Sequence, residues 1–249
     1  MPRGSASALR CPLALVLALG CSTNDGPASL DSARPGSSLD EAALREAVEV
    51  DLEAMGATAL SLAVVDAGGV VWSGGFGTTR RGGNKAVNAD TRFRVASVTK
   101  PMTSIALLQA VEEGCLALDD AVSTHIPFRI GVQPEHSANF AVGHTLTNTG
   151  GLVDHELQTG QDGDGYLEPF LAEFQRNGGF LSPPGRMYNY SNTNFVVAGR
   201  LVEVCANQPI RPTLEDAVWG PLGMTRTAFD QATVLSDDNY AEGLTVLLE

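Results

Sequence analysis

The sequence predicts an α+β domain in which a short antiparallel sheet is followed by a mainly helical region. Three stretches carry that prediction. Ala59 to Val65 and Val70 to Trp72 are apolar runs joined by Asp66-Ala67-Gly68-Gly69, the composition of a β-hairpin. Residues 102–113, MTSIALLQAVEE, are apolar on most sides and stop at Gly114, which predicts a central, buried helix. Asn194 to Cys205 predict a second buried helix.

Taken in order, the chain opens with Arg3 and Arg10 around a short apolar stretch, Pro12 to Leu19. That stretch is too short to span a bilayer, so residues 1–20 are expected to be an export signal. Ala18-Leu19-Gly20-Cys21 resembles a bacterial lipobox, with Ala18 where such boxes usually carry leucine. Cys21 is therefore the expected lipidation site, and the expected location is the cell envelope or periplasm, with the membrane reached only through that N-terminal lipid. Residues 21–37 are small, polar and broken by prolines, as in a flexible tether, and 38–249 form the expected domain. Ser38 opens a capping box with Glu41, and Leu44, Ala47, Val48, Leu52 and Met55 follow at helical spacing up to Gly56. Residues 73–91 read as Gly-rich and irregular. Residues 115–187 read as short helices and loops, and the ending LTVLLE as the start of a strand.

The net charge of −13 argues against nucleic acid or anionic lipid as a partner. Of the four cysteines, Cys115 and Cys205 remain beside the signal and anchor residues Cys11 and Cys21. Export permits them to pair, but the plainer expectation is two separate, largely buried thiols. Asp162-Gly163-Asp164-Gly165 lacks the ligand spacing of a calcium loop and reads as a solvated turn. His155-Glu156 lacks the second histidine of a zinc helix, and His144 reads as a hydrogen-bonded structural residue. No Gly-x-Ser-x-Gly elbow, phosphate loop or dinucleotide fingerprint is present.

The chain has two lysines against fourteen arginines, and one of them, Lys100, stands three residues after Ser97 with Pro101 behind it. Proline costs little in the first turn of a helix, where N–H groups have no intrahelical partner, so Pro101 marks a helix start. Ser97 then lies at a helix N-terminus that favours a developing anion, with Lys100 one turn on along the same face. Burial lowers a lysine pKa, and a neutral amine can take the serine proton; arginine cannot, because it does not deprotonate in proteins. Taken alone, the pattern is equally a serine at a helix end with a solvent-facing lysine. The second element is Tyr190-Ser191-Asn192 within PPGRMYNYSNTNF. A phenol relays protons when a nearby cation favours its phenolate, and an asparagine amide orients a lysine or a substrate carbonyl. Alone, this stretch reads as a proline turn followed by an aromatic helix start.

Together these elements resemble the serine β-lactamase and penicillin-binding protein superfamily, nearest its class C, D-alanyl-D-alanine carboxypeptidase and family VIII esterase-like branch. The likeness runs from about Leu60 to Asp230 through FRVASVTKPMTSIALLQAVEEGCLALDDAV, HTLTNTGGL, PPGRMYNYSNTNFVVAGRLVE and PLGMTRTAFD. It implies a β-lactamase/transpeptidase-like fold, an antiparallel sheet with flanking helices beside a mainly helical region. It implies Ser97 as acylated nucleophile, Lys100 as its base partner, Tyr190 as general base and acid, and Asn192 as the substrate-positioning amide. The backbone N–H of Ser97 would supply half of an oxyanion hole. No cofactor and no metal are implied; the expected partner is a small-molecule or peptidoglycan-derived substrate, and the expected state is a monomer. The family's third motif, Lys-Thr-Gly or His-x-Gly on a later strand, has no match before Glu249. The sequence is accordingly expected to be C-terminally truncated. Three activities stay open on this reading: hydrolysis of a β-lactam, ester or D-alanyl amide, a peptidoglycan D,D-peptidase, and a non-catalytic fragment.

The anchor reading is testable in cells. Growth with labelled palmitate should label the wild type and leave Cys21→Ala unlabelled; equal labelling of both would remove Cys21 as the anchor.

Overall fold

The computed structural model describes residues 39–155 and 163–243. The export signal, Cys21, the tether, Ser38, Asp162, Glu156 and the final LTVLLE lie outside the described residues. Arg45 onwards forms the main compact unit of the chain, preceded by a unit ending at Leu44.

Helix α1 spans Glu41–Ala54, and Asp40 stands directly before its first residue. The Asp40 carboxylate accepts the N–H of Ala43 at 3.0 Å, satisfying one of the donors that a helix start leaves free. The predicted stop holds: Gly56 adopts φ +62. Strands β1 (Ala59–Asp66) and β2 (Gly69–Gly77) form the predicted hairpin, longer on its second arm than the apolar run suggests. Residues 73–77, read as irregular, continue the ladder because backbone pairing does not need apolar side chains; Leu62 pairs with Gly74 and Leu60 with Phe76. Leu60, Leu62, Val64, Trp72 and Phe76 share one face, and the Arg45 guanidinium lies 5.4 Å over Trp72 and 5.5 Å over Phe76. On the other face Val65, Val70 and Val71 are exposed.

A short 3-10 turn, Ala96–Val98, runs into α2 (Thr99–Glu112), followed by three short helices, α3 (Val122–His125), α4 (Pro134–Ala138) and α5 (Val142–Leu146). Then come α6 (Leu167–Asn177), α7 (Asn192–Ala206), α8 (Ile210–Leu214) with a π-helical turn at Glu215–Trp219, and α9 (Gln231–Leu235). The core lies where α7 packs against α2, α5, α6 and α8. Val196, Val197, Ala198, Leu201 and Val202 of α7 meet Ala106 and Leu107 of α2, Phe170, Leu171 and Phe174 of α6, and Phe128 and Phe140 from the links between the short helices. Even Glu203 on α7 is buried, its carboxylate held by Arg200 Nη1 at 3.1 Å and the Ile210 N–H at 3.0 Å.

Two expectations are corrected. Helix α2 is not buried all round: Thr103, Ala106, Leu107 and Ala110 face the core, while Ile105 and Leu108 stay exposed. An evenly apolar sequence cannot say which face finds a partner; among the described residues α7 and α8 cover one side only. Cys115 and Cys205 are not separate thiols but a disulfide, with Cα atoms 5.9 Å apart. Each cysteine lies at the C-terminal end of its helix, Cys115 just past α2 and Cys205 in the last turn of α7. The two helices run parallel side by side, which brings these ends together.

The bridge closes a loop between residues 90 positions apart. Such a link stabilises by about 2–4 kcal/mol, mainly by restricting the unfolded chain. Cys115→Ser/Cys205→Ser should therefore melt roughly 5–15 °C below the wild type, by the usual slope for a domain of this size. A thermal melt followed by circular dichroism checks this, with an unchanged midpoint counting against it.

Candidate active site

The residue before Ser97 departs from ordinary backbone geometry. Ala96 adopts φ +44, in the left-handed region that costs a non-glycine residue about 1–2 kcal/mol. Its neighbours hold it there, and the turn places Ser97 at the head of α2 with its side chain exposed. Lys100, in the first turn of α2, donates from Nζ to Ser97 Oγ at 3.1 Å and to Asn192 Oδ1 at 2.7 Å. From the other side the Tyr190 hydroxyl donates to Ser97 Oγ at 2.6 Å. Lys100 Nζ also stands 4.7 Å from the Tyr190 ring centroid and 5.5 Å from that of Phe195. Ser97 and Lys100 thus converge with Tyr190 and Asn192, at least ninety positions further along the chain, in one hydrogen-bonded cluster.

The electrostatics follow from the contacts. Lys100 beside it, and then the hydrogen bond with Ser97, hold the Tyr190 phenol below its ordinary value; partial burial and, last, the Asp154 carboxylate oppose them. Two helix N-termini, those of α2 and α7, point their positive ends into the same space. The cluster opens into a cleft of about 720 Å³ lined by Arg94, Phe195, Ile210, Arg211 and Phe229 as well as Ser97. Arg211 ties two sides of that cleft together, through Asp164 at 2.8 Å and Asp230 at 3.6 Å.

Residues that sequence reasoning missed hold the Tyr190 segment in place. Asn148, at φ +53, accepts the Asn189 N–H on its carbonyl at 2.8 Å and the Ser191 N–H on Oδ1 at 3.3 Å, one on each side of Tyr190. The Ser191 and Thr193 hydroxyls both donate to the Val153 carbonyl at 3.2 Å. The Asp154 carboxylate accepts the Asn192 backbone N–H at 2.7 Å and its Nδ2 at 3.2 Å. The available signal was conformational: asparagine tolerates the left-handed region, and the run Thr147-Asn148-Thr149-Gly150-Gly151 is turn chemistry. Nothing in that run says which turn it faces. His144 accepts the Ala141 N–H on Nδ1 at 3.1 Å, and its desolvated ring is held below the ordinary histidine value, so it acts as a neutral structural acceptor. His155 packs edge-on against Phe170 and Phe174. Among the described residues no group of three or more His, Cys, Asp or Glu side chains is arranged to hold a metal ion.

Comparison with known proteins places this geometry. A penicillin-binding protein 4 from Amycolatopsis lactamdurans is 32% identical over 149 residues, which cover 59% of this chain and 39% of that protein. An unguisins hydrolase, ungD', from Aspergillus campestris is 29% identical over 198 residues, 73% of this chain and 35% of that protein. The chain thus spans less than half the length of these curated relatives. The structure of an octameric penicillin-binding protein homologue from Pyrococcus abyssi superposes with a TM-score of 0.70 over 82% of this chain and 48% of that one, at 24% identity, which establishes the β-lactamase/transpeptidase-like fold. The family model described as Beta-lactamase matches residues 44–240, a span that contains the whole Ser97–Lys100–Tyr190–Asn192 cluster, and the chain belongs to that family of serine hydrolases.

Proposed function

We propose that the chain is a serine hydrolase that forms an acyl-enzyme at Ser97, acting on a β-lactam, an ester, or a D-alanyl peptide or amide. The observation that carries the reading is the placement of Ser97 Oγ between the Tyr190 hydroxyl at 2.6 Å and Lys100 Nζ at 3.1 Å. Hydrogen-bond reach between nucleophile and base is the first requirement of nucleophilic catalysis. The second, a base, is supplied by the Tyr190 phenol, whose ionised form the neighbouring Lys100 and Ser97 favour.

In the resting cluster Tyr190 donates to Ser97. Once Tyr190 is ionised the bond reverses, and the Ser97 hydroxyl donates to the phenolate. Oγ attacks the substrate carbonyl carbon as Tyr190 takes the proton, and the carbonyl electron pair moves onto oxygen. The Ser97 N–H at the helix terminus supports that oxyanion. Collapse breaks the bond to the leaving group, which receives the proton from Tyr190. Water then loses a proton to Tyr190, attacks the acyl carbon and expels Ser97 Oγ, which recovers that proton. Lys100, held by the Asn192 amide oxygen, stays beside both Ser97 and the Tyr190 ring as the partner of that proton exchange.

A D,D-peptidase is the second reading, favoured by the relative named penicillin-binding protein 4. Release of D-alanine from a D-alanyl-D-alanine peptide with no turnover of nitrocefin or a p-nitrophenyl ester would single out the peptidase; turnover of either without D-alanine release would exclude it. The proposal also keeps the chain exported and anchored at Cys21. The basic and apolar leader supports this, as does a Cys115–Cys205 bridge of the kind that persists in oxidising compartments.

Two outcomes test the mechanism. A fluorescent fluorophosphonate should label the wild type covalently and leave Ser97→Ala unlabelled; labelling that survives in the alanine variant would move the nucleophile elsewhere. The labelling rate should also rise with pH through a midpoint below tyrosine's ordinary value of about 10, because phenolate is lost as pH falls through the lowered pKa of Tyr190. Tyr190→Phe should abolish that limb and slow labelling by about 10²–10⁴-fold. A flat profile in the wild type would remove Tyr190 as the base.

A further inference from the structure

We infer that Asp154 is a positioning residue for this site: its carboxylate locks the Asn192 amide with the oxygen, not the nitrogen, toward Lys100. The inference rests on the acyl-transfer reading above and assigns a role to a residue outside the four-membered cluster.

An asparagine amide has one acceptor end and one donor end, and rotation by half a turn about its terminal bond exchanges them at almost no cost in shape. Asn192 sits between two partners that cannot be exchanged. Lys100 is an ammonium and only donates; Asp154 is a carboxylate and only accepts. The observed arrangement satisfies both, with Lys100 Nζ to Oδ1 at 2.7 Å and Nδ2 to Asp154 Oδ2 at 3.2 Å. Asp154 adds a second constraint by accepting the Asn192 backbone N–H at 2.7 Å, so one carboxylate fixes both the start of α7 and the amide it carries. An acceptor at Asn192 in turn pulls Lys100 to the point where it reaches Ser97 and the face of Tyr190. The chain of dependence runs Asp154, Asn192, Lys100, Ser97. Asp154 is itself exposed, so its removal takes no support from the core.

A single-atom change tests this. In Asp154→Asn one carboxylate oxygen becomes NH2. The side chain can still accept the Asn192 backbone N–H, but it now presents a donor to Nδ2. The amide of Asn192 must turn, which directs NH2 against the Lys100 ammonium and drives the lysine away from Tyr190. The two ways Asp154 could act on Tyr190 therefore have opposite signs. As a bare negative charge Asp154 raises the Tyr190 pKa, so its neutralisation alone would lower it. As the residue that positions Lys100, its loss removes the largest influence holding that pKa down, so the titration must move up.

The experiment compares the wild type with Asp154→Asn over about pH 5 to about pH 12, which brackets the histidine and tyrosine ranges. Fluorophosphonate labelling supplies the rate. The phenolate absorbance difference against a Tyr190→Phe control in each background supplies the titration, without need of turnover. The expected result is labelling slowed by about 10²-fold, as for a group displaced by roughly 1 Å, with the Tyr190 midpoint and the rising limb both shifted to higher pH and a cooperative melt retained. A midpoint that falls or does not move, or labelling within about threefold of the wild type, would overturn the inference, since a group displaced from the site costs far more than that. A lost cooperative melt would overturn it too, by making Asp154 a support of the fold. A wild type that is not labelled at all would instead defeat the hydrolase reading, while the Tyr190 titration would still judge Asp154.

Discussion

The parallel packing of α2 against α7 is the constraint on which the rest of the molecule depends. The pair is pinned at both ends. At the C-terminal end the Cys115–Cys205 bridge fixes the separation, and at the N-terminal end Lys100 on α2 donates to Asn192 at the start of α7. Between these points Ala106 and Leu107 pack against the apolar face of α7. Because the helices are parallel, their positive dipole ends coincide. The cluster is therefore built where backbone dipoles favour negative charge, in a chain whose net charge is −13. An antiparallel pair with the same contacts would separate Ser97 from Asn192 by the length of a helix, about 20 Å for fourteen residues.

A second layer translates that helix pair into a site. Residues 148–154 form a polar template along which residues 189–193 are laid. Asn148 brackets Tyr190, Val153 takes two hydroxyls, and Asp154 takes the first N–H of α7. Most of this template's partners are buried: Ser191, Thr193 and Asn194 are fully enclosed. Buried polar groups are costly unless satisfied, so the register of one segment on the other is strongly specified. A slip of one residue would orphan several donors at once. Gly150 belongs to the same design, since a Cβ there would run into the Asn194 amide and, at 2.6 Å, the Phe140 ring.

The chemistry is then distributed by proximity. Serine, lysine and tyrosine have no unusual reactivity in isolation. Here the ammonium stands close enough to the phenol to favour its ionised form, and the phenol close enough to the serine to exchange its proton. The strained turn at Ala96 lets the serine stand clear of the helix axis between them. The cleft beyond is closed by the ion pairs of Arg211 with Asp164 and Asp230, so its shape depends on charges drawn from three separate segments.

The sequence by itself determined the local pieces. Alternating apolar residues and the Asp66-Ala67-Gly68-Gly69 link specify the hairpin, and the apolar runs specify α2 and α7, because these signals act over a few neighbouring residues. Ser97 and Lys100 are legible as a pair for the same reason: three positions on one helix put them on one face. Tyr190 and Asn192 are legible as chemistry and, through family resemblance, as partners. Tertiary structure alone decided the rest. The direction of α7 relative to α2 is invisible to periodicity, so the disulfide reads as two free thiols until the helix ends meet. The buried face of α2 is undecided in a helix apolar all round, and packing against α7 and α8 selects it. The roles of Asn148 and Asp154 arise only when a turn more than thirty positions away is laid beside them. A carboxylate becomes a positioning group only once its neighbours are known, because what orients the Asn192 amide is the opposition of a donor on one side and an acceptor on the other.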